Sequence, residues 1–375
     1  MKIGFDGKRA ANNLTGLGNY SRSLIEYLAE FFPQNQYFVY TPKVKEHAQI
    51  FRFLKLKGIK IELPDRPGWL WRTLGIKKQL LKDQIDLFHG LSHEIPMGIQ
   101  HSGIPSVVTI HDLIFLRFPK YYGRIDRFIY ELKFRYACKH ADKIVAISEC
   151  TKRDLIHFFK TDPDKIEVVY QSCDDSFKST TDQKKRESVR AKHHLPEKFI
   201  LNVGTIETRK NLMMLIRALP EIDQEYQLVV VGKKTAYTKL VNKEIDLLGL
   251  RSRVKFLQNV PFDDLPSIYQ MASAFVYPSL YEGFGIPIIE ALYSGIPVIA
   301  ATGSCLEEAG GENSLYVSPF DHKTLAISIN KVLSNPGLAT KMKAKGLEYV
   351  KKFDTRGLTE EMIKIYTQVL SNHQK

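Results

Sequence analysis

Short runs of β-branched and other apolar residues alternate with longer amphipathic stretches along the whole chain. In the first half, these runs predict strands over residues 2–6, 37–40, 59–63, 86–89, 106–111, 143–147 and 165–170. In the second half, they predict strands over residues 199–203, 227–231, 254–257, 274–277, 297–300 and 314–317. Strands that alternate with helices are typical of a parallel sheet covered by helices, so the predicted fold class is α/β.

A polar stretch over residues 176–198 interrupts this alternation and predicts a linker between two domains, with or without a short helix of its own. A chain of 375 residues also exceeds the size of one ordinary domain, which is about 100–200 residues. We predict an N-terminal Rossmann-like domain over 1–178, a C-terminal one over 179–353, and a terminal helix over 354–375 that can cross back to the first domain. Two such sheets that face each other leave a ligand cleft beyond the carboxyl ends of their strands.

The formal net charge is +13, and the basic excess is spread over both halves of the chain. Such a balance is typical of nucleic-acid binding or of attraction to anionic substrates and membrane surfaces. No nucleic-acid-binding motif accompanies the charge, so we expect no nucleic-acid partner. The longest apolar runs, such as residues 296–301, are far shorter than the roughly 20 residues of a membrane span.

The N-terminal residues and the cysteines indicate in which cellular compartment the protein works. Asp6 lies where a signal peptide needs apolar residues, and the four cysteines lack the spacing of a disulfide framework or metal site. We therefore expect a cytoplasmic protein that is able to work at the inner face of the membrane.

The strongest chemical signal is the segment 278–295, which follows a predicted strand and opens a helix. Gly283 and Gly285 let backbone N–H groups at that helix N-terminus approach a phosphate or a sugar oxygen closely. Glu282 and Glu290 can accept hydrogen bonds from the hydroxyl groups of a sugar and a ribose. The expected helix is about two turns long, bounded by residues suited to its start and end, Pro287 and Gly295.

A second signal follows the strand predicted at 199–203, where Arg209 and Lys210 lie side by side at the start of a helix. Cations oppose the helix dipole there, so we expect an anion to compensate them. The departing diphosphate of a nucleotide is such an anion, since fixed cations stabilise the charge that develops on it. A solvated basic surface is the alternative.

In the first half, Gly16 and Gly18 precede an amphipathic helix, and His111 ends a predicted strand. The glycine loop lacks the downstream acid of a dinucleotide fingerprint, which disfavours a nicotinamide cofactor. A lone histidine is most often structural, but the end of a strand is the edge at which ligands bind. For His89 and His93, contact with an acceptor and loop packing both stay open.

Together these segments resemble the signature of the retaining family-4 glycosyltransferases, whose GT-B fold pairs two Rossmann-like domains across a central cleft. The resemblance implies catalytic roles for His111, Arg209, Lys210 and Glu282. It implies contacts with the donor for Gly16, Gly18, Gly204, Thr205, Glu207, Val260, Gly283, Phe284, Gly285 and Glu290. Within these sets, Glu282 is implied to contact the hexose, Glu290 the ribose, and Val260 the base through its backbone.

The resemblance also implies an activity, which is transfer of a hexose with retention of configuration to a glycan or lipid-linked acceptor in cell-surface polysaccharide synthesis. GDP-mannose is the first expectation for the donor, with UDP-glucose and UDP-galactose close behind. The acidic pairs Asp174-Asp175 and Asp263-Asp264 are adjacent and not spaced as in metal-binding Asp-x-Asp motifs, so we expect neither metal nor cofactor. The alternatives are a non-catalytic nucleotide-sugar-binding protein and, less favoured, an NAD-dependent oxidoreductase.

Two segments of the first domain, residues 51–57 and 69–72, mix apolar or aromatic side chains with cations. This composition suits an interfacial surface near lipid-linked acceptors and predicts a peripheral membrane contact. Ordinary half-buried elements are the alternative.

Overall fold

A computed structural model of the chain describes residues 1–65, 68 and 70–373, with only the backbone at Gln49. The chain divides into two compact units. The first unit comprises Met1–Gln171 and the residues from Thr355 onward, and the second comprises Ser172–Asp354. The division precedes the predicted boundary by a few residues because Phe177 is buried against Tyr269, inside the second unit.

The first unit is built on a parallel sheet, and every strand predicted in this half is present. Its strands in chain order are β1 (Lys2–Asp6), β2 (Gln36–Tyr40), β3 (Ile59–Glu62), β4 (Leu87–Gly90), β5 (Ser106–Ile110), β6 (Lys143–Ala146) and β7 (Ile166–Val168). The spatial order is β3-β2-β1-β4-β5-β6-β7. The strands near the centre are buried on both faces, as a parallel sheet between helices requires.

Helices follow the strands of this sheet and cover it. They are α1 (Lys8–Asn12), α2 (Gly16–Phe31), α3 (Ala48–Leu54), α4 (Ile76–Lys82), α5 (Ile114–Arg117), α6 (Arg124–His140) and α7 (Glu149–Phe159). Ser148 caps the N-terminus of helix α7, where its side chain accepts a hydrogen bond from the backbone N–H of Thr151.

The second unit has the same architecture, a parallel sheet with helices between its strands. Its strands are β8 (Phe199–Val203), β9 (Gln227–Val231), β10 (Val254–Leu257), β11 (Ala274–Tyr277), β12 (Val298–Ala301) and β13 (Leu315–Val317), in the spatial order β10-β9-β8-β11-β12-β13. Its helices are α8 (Gln183–His193), α9 (Leu212–Ala218), α10 (Tyr237–Leu247), α11 (Leu265–Met271), α12 (Ile286–Tyr293), α13 (Leu306–Gly310), α14 (His322–Leu333) and α15 (Pro336–Tyr349). Both units therefore have a Rossmann-like order of strands.

The segment predicted as a linker is a built part of the second unit. It contains α8, whose Lys185 and Lys192 each form an ion pair with the buried Asp264, at 3.0 and 2.7 Å. His193 Nε2 also lies 2.9 Å from the same carboxylate. Three polar residues of the segment therefore contact one buried carboxylate, and the segment belongs to the second unit.

The C-terminal helix, α16 (Thr355–His373), belongs to the first unit and packs against α2. Its Tyr366 is fully buried, and the Tyr366 hydroxyl lies 2.6 Å from Nδ1 of His89. A buried polar pair of this kind anchors the helix to the sheet.

In each sheet the strand order reverses at one point, between β1 and β4 in the first unit and between β8 and β11 in the second. The loops that leave the two strands at such a point diverge, so a crevice opens at the carboxyl ends. Among the predicted site residues, Gly204 follows β8 and Glu282 follows β11, the two strands at the reversal point of the second unit.

The segments predicted to contact a membrane are only partly at the surface. Phe53 and Trp71 are buried, whereas Phe51 and Leu70 are exposed. Trp69 lies outside the described residues. Among the residues described, no helix combines the length and the apolar character needed to cross a bilayer.

Candidate active site

In the second unit, glycines let the loops that follow β8 and β9 lie against each other. Gly204 adopts a φ of +150°, which residues with a side chain rarely adopt. At Gly232, an added Cβ would lie 1.9 Å from the carbonyl oxygen of Gly204. Gly232 was not singled out from the sequence, although its place directly after a strand was the available signal.

The loop after β8 continues into a 3-10 turn over Thr208–Lys210 and is held in place by Asn211. The Asn211 side-chain amide donates hydrogen bonds to the carbonyl oxygens of Pro278 and Pro319, at 3.1 and 2.8 Å. Asn211 itself has a φ of +57°, which asparagine tolerates better than most residues. The turn is therefore fixed to the loop after β11, a role that the sequence did not reveal.

Because the two loops are held together, Arg209 and Lys210 both form ion pairs with Glu282. Lys210 Nζ lies 2.6 Å from Glu282 Oε1, and Arg209 Nη1 lies 2.7 Å from Glu282 Oε2. Arg209 Nη2 also pairs with Glu207 Oε1 at 2.8 Å. The hydroxyl of Ser279 completes the arrangement by donating to Glu282 Oε1 at 2.6 Å.

The charges of this cluster set the pKa of Glu282. Burial acts to raise the pKa, but the positive charges of Lys210 and Arg209 outweigh it and lower the pKa to about 2. For Arg209, burial opposes the charged form, and the carboxylate of Glu282 reverses this and raises the pKa. Glu282 is thus ionised, and the anion expected to compensate the two cations is supplied in part by the protein itself.

Helix α12 confirms the predicted boundaries. It spans eight residues with Pro287 in its first turn, and Gly295 follows its end with a φ of +67°. Gly285 precedes the helix with a φ of +132°, and an added Cβ there would lie 3.2 Å from Leu306 Cδ2. The helix N-terminus therefore depends on glycine both for its backbone conformation and for space.

The loop that carries Glu282 is anchored from inside the second unit. The buried thiol of Cys305 donates to the carbonyl oxygens of Phe284 and Glu282, at 2.7 and 3.1 Å. The ring of Phe284 is buried and packs against Phe353, with ring centroids 5.3 Å apart. Of Phe284, only the backbone is therefore suited to the predicted contact with the donor. Sequence reasoning missed Cys305, since a lone cysteine carries no motif.

Glu290 lies in helix α12 and accepts a hydrogen bond from the Tyr269 hydroxyl, at 2.7 Å. The pKa of Glu290 is raised to about 7, mainly by burial; the hydrogen bond from Tyr269 acts to lower it, and the charge of Asp174 acts to raise it. The two predicted carboxylates therefore have opposite pKa shifts, because cations dominate the shift of Glu282 and burial dominates that of Glu290.

The other predicted donor contacts of the second unit are spread over two places. Thr205 and Glu207 lie on the loop after β8, and Glu207 pairs with Arg209. Val260 follows β10, and strand β9 separates β10 from β8. Asn259, just before it, has a φ of +53°, so the turn is tight. Val260 therefore follows a different strand from the residues of the charged cluster.

In the first unit, the glycine loop lies at the N-terminus of α2. An added Cβ at Gly18 would lie 1.9 Å from the carbonyl oxygen of Asn13, whereas Gly16 faces open space. The buried Arg22 donates hydrogen bonds to the carbonyl oxygens of Asn13 and Ala10, at 2.7 and 2.8 Å. Gly18 therefore has a packing role, and Gly16 is the position with room for a ligand.

His111 lies at the end of β5 and is buried, with protein groups at both ring nitrogens. Its Nε2 lies 2.9 Å from the carbonyl oxygen of Leu91, and its Nδ1 lies 3.2 Å from Nε2 of Gln171. Burial lowers the pKa of His111 to about 4, although the Leu91 carbonyl acts to raise it. The imidazole is therefore neutral and held in one orientation, with Nε2 donating. Its predicted role at the donor sugar stays a prediction.

Packing accounts for both of the other histidines of this region. His89 is fully buried, and its Nε2 lies 2.8 Å from the Thr109 hydroxyl. His93 accepts the backbone N–H of His111 at Nδ1, at 3.3 Å, and its ring stacks on Phe134. Of the two alternatives left open by the sequence, the structure favours loop packing.

One Asp-x-Asp spacing occurs outside the acidic pairs named above, at Asp162-Pro163-Asp164. Asp162 Oδ1 accepts the backbone N–H of Asp164 at 3.0 Å and caps a 3-10 turn before β7. The spacing therefore has a local structural explanation. Among the described residues, no group of three or more His, Cys, Asp or Glu side chains is arranged to hold a metal.

Two Rossmann-like units with glycine-rich strand ends, and a paired-cation cluster in the second unit, are typical of two-domain α/β proteins that bind nucleotides. The family described as glycosyl transferases group 1 matches residues 183–349, and glycosyltransferase family 4 matches residues 14–177. The chain belongs to these group 1, or family 4, glycosyltransferases.

Individual proteins agree with this assignment. The chain is 27% identical to the O-antigen chain mannosyltransferase B of Escherichia coli over 98% of this chain and 99% of that protein. It is 31% identical to the O-antigen chain mannosyltransferase RfbU of Salmonella typhimurium, over 68% of each. The crystal structure of Anabaena HepE with UDP and glucose superimposes with a TM-score of 0.78 at 19% identity, covering 98% of this chain and 100% of that one. That likeness shows the fold, which is GT-B.

Proposed function

We propose that this glycosyltransferase transfers a hexose with retention of configuration, and that its donor is a nucleotide-diphosphate sugar bound by the second unit. The observation that carries the proposal is the convergence of Arg209 and Lys210 on Glu282 at the point where the strand order reverses. Two cations fixed at such a crevice suit a diphosphate group.

Binding of the donor exchanges the partners of this cluster. The diphosphate takes over Arg209 and Lys210, and Glu282 is released to accept hydrogen bonds from hydroxyl groups of the sugar. The exchange is favourable because a diphosphate carries more negative charge than one carboxylate. Glu290 and the backbone at Gly283–Gly285 then contact the ribose and the phosphates.

The proposed chemistry follows from that placement. The bond between the anomeric carbon and the phosphate oxygen breaks, and its electron pair stays on the diphosphate, where the two cations stabilise it. The acceptor hydroxyl attacks from the same face, and its proton passes to the departing phosphate oxygen. Configuration is thereby retained. We further propose that the reaction needs no metal ion, because Arg209 and Lys210 supply the positive charge.

The choice of donor sugar rests on the two related mannosyltransferases. Both mannosyltransferases named above act in O-antigen synthesis, as their names state, which supports mannose as the transferred sugar and GDP-mannose as the donor. UDP-glucose and UDP-galactose are the alternative donors. We propose a glycan or lipid-linked acceptor of cell-surface polysaccharide synthesis, used at the inner face of the membrane.

The test is a thermal-shift screen of GDP, UDP and their sugars on the wild type and on Arg209→Ala/Lys210→Ala. A ligand at 100 times its Kd stabilises the native state by about 2.7 kcal/mol, and we expect the double variant to lose this shift. The control is Arg217→Ala, which removes an exposed cation of α9 that pairs with Glu244. Comparing each variant with and without ligand separates binding from any change in basal stability.

Product analysis tests the transfer activity and the retention of configuration. Transfer from the preferred donor distinguishes an enzyme from a protein that only binds nucleotide sugars, and NMR of the product reports the anomeric configuration. Activity in excess EDTA tests independence from metal. A double variant that binds the nucleotide as tightly as the wild type would refute the proposed diphosphate site.

A further inference from the structure

Helix α6 carries apolar residues on two opposite faces. With about 3.6 residues per turn, Phe134, Ala137 and Cys138 share the face that packs into the core of the first unit. The opposite face is a stripe of large apolar side chains that are all exposed, Ile125, Phe128, Ile129 and Leu132. Ile125 is 76% exposed and Phe128 is 63% exposed. A helix that serves only the fold needs one apolar face, so the second face requires a different explanation.

The exposed stripe is bordered by positive charge. Helix α6 contains five lysine and arginine residues against two acidic ones. By the helical period, Arg124, Arg135 and Lys139 lie along one edge of the stripe. Arg135 pairs with Glu131 at 2.8 Å, whereas within the described residues Arg124 and Lys139 form no ion pair. The face therefore combines apolar surface with cations that the protein does not neutralise.

We propose that this face of α6 docks on a lipid bilayer that contains anionic lipids. The apolar stripe enters the interfacial region, and the flanking cations contact the negatively charged headgroups. A second copy of the chain is a poorer partner, because two such faces would bring like charges together. The inference extends the proposed function by naming the surface that meets the membrane, and it requires no particular donor or reaction.

The neighbouring segment extends the same kind of surface. Lys133 on α6 pairs with Glu94 at 3.1 Å, and Glu94 pairs with Arg72 at 2.8 Å, so these ion pairs tie α6 to the helical turn Trp71–Gly75. Large apolar side chains at that turn and in the adjacent loop are also exposed. They are Leu70 and Leu74 at the turn and Met97 in the loop. The backbone N–H of Met97 donates to the carbonyl oxygen of Thr73, which fixes the two segments side by side. The turn Trp71–Gly75, which overlaps the segment predicted to contact a membrane, is thus tied to α6, and α6 carries the larger exposed stripe.

The experiment is flotation of the full-length chain with vesicles of phosphatidylcholine alone or mixed with phosphatidylglycerol, without donor or acceptor. We expect the wild type to bind the mixed vesicles. Ile125→Ser/Phe128→Ser should bind them at least about tenfold more weakly, because it loses apolar burial at the interface. The matched control is Phe320→Ser/Ile327→Ser, which changes the same residue types at positions of the second unit that are 83% and 64% exposed. The control should bind as the wild type does.

A charge variant tests the second half of the inference. Arg124→Glu/Lys139→Glu should lose the preference for phosphatidylglycerol, and binding of the wild type should weaken as salt rises. The nucleotide-induced thermal shift of every variant should stay at the wild-type value, so that failure of membrane docking is distinguished from failure of the donor site.

Three outcomes would overturn the inference. The first is a wild type that stays unbound to mixed vesicles. The second is an equal loss of binding in the Phe320→Ser/Ile327→Ser control. The third is a wild type that elutes as a dimer and becomes a monomer in Ile125→Ser/Phe128→Ser, which would assign the face to self-association.

Discussion

Lys210 Nζ lies 2.6 Å from Glu282 Oε1, although 72 positions separate the two residues in the chain. The contact exists because β8 and β11 are neighbours in the sheet, so the loops at their carboxyl ends meet. The two cations proposed to bind a diphosphate are thus both partners of one carboxylate. These ion pairs hold the cations in fixed positions, and under the proposed function a diphosphate exchanges with the carboxylate as their partner.

The acid stability of the protein should depend on Glu282. Its pKa falls from an ordinary 4.5 to about 2 on folding, so its stabilising contribution is complete above pH 4.5 and is lost as pH falls towards 2. This shift corresponds to about 3 kcal/mol. In Glu282→Gln, the loss of stability over this pH range should shrink by that amount, as measured by urea unfolding at several pH values. Glu244→Gln is the control, and an unchanged slope in Glu282→Gln would contradict the assigned pairing.

Glu282→Gln should also separate binding from catalysis. The neutral amide leaves Arg209 and Lys210 available to the diphosphate, so nucleotide binding should persist. We expect kcat to fall by about 100-fold or more, because the hydrogen bonds that the carboxylate accepts from the sugar are weakened in the transition state. Steady-state kinetics with the preferred donor checks this, and a variant with full kcat would remove Glu282 from the mechanism.

Glu290 should have the opposite pH dependence. Its pKa rises from 4.5 to about 7 on folding, so the folded state holds a proton that the unfolded state has lost between these values. Stability should therefore decrease as pH rises from 4.5 to 7. Glu290→Gln removes the titrating carboxyl group, so the free energy of unfolding should change less between pH 5 and pH 8 than in the wild type. Unfolding measurements at these two pH values would show this. A slope that persists in the variant would place its origin elsewhere.

Gly232 should be intolerant of a side chain. The Cβ of Gly232→Ala would meet the carbonyl oxygen of Gly204, so the loop after β8 must move. We expect a destabilisation of about 1–3 kcal/mol together with weaker nucleotide binding. Gly357→Ala is the control, since a Cβ at that position of α16 meets nothing within 4 Å. Equal melting temperatures of the two variants would count against the close approach of the two loops.

The ionisation of His111 should respond to Gln171. A carboxylate in place of the amide that lies 3.2 Å from Nδ1 favours the protonated ring, so Gln171→Glu should raise the pKa of His111 by about 1–2 units from its value near 4. Gln171→Leu supplies no charge and should leave the pKa low. Titration of the ring signals by NMR measures both, and equal values in the two variants would refute the contact.

Much of the fold follows from local sequence patterns. Runs of β-branched residues predicted strands at positions such as 199–203 and 227–231, which the structure reproduces residue for residue. Pro287 and Gly295 bounded helix α12 correctly, because the conformational limits of these residues act within one turn of the chain. The glycines and charged residues at strand ends were visible for the same reason.

Pairing between distant residues was decided only by the tertiary structure. No local pattern could show that Asp264 would recruit α8 into the second unit, that Gln171 would fix His111, or that Glu282 would neutralise both cations. The exposed stripe of α6 was hidden as well, since periodicity reveals that a helix has an apolar face but not which face the core covers. The sequence by itself determined the elements and the candidate residues, because local conformational preference and apolar periodicity are written in neighbouring positions. The order of strands in the sheets determined which of those residues meet, because it joins positions that are remote in the chain.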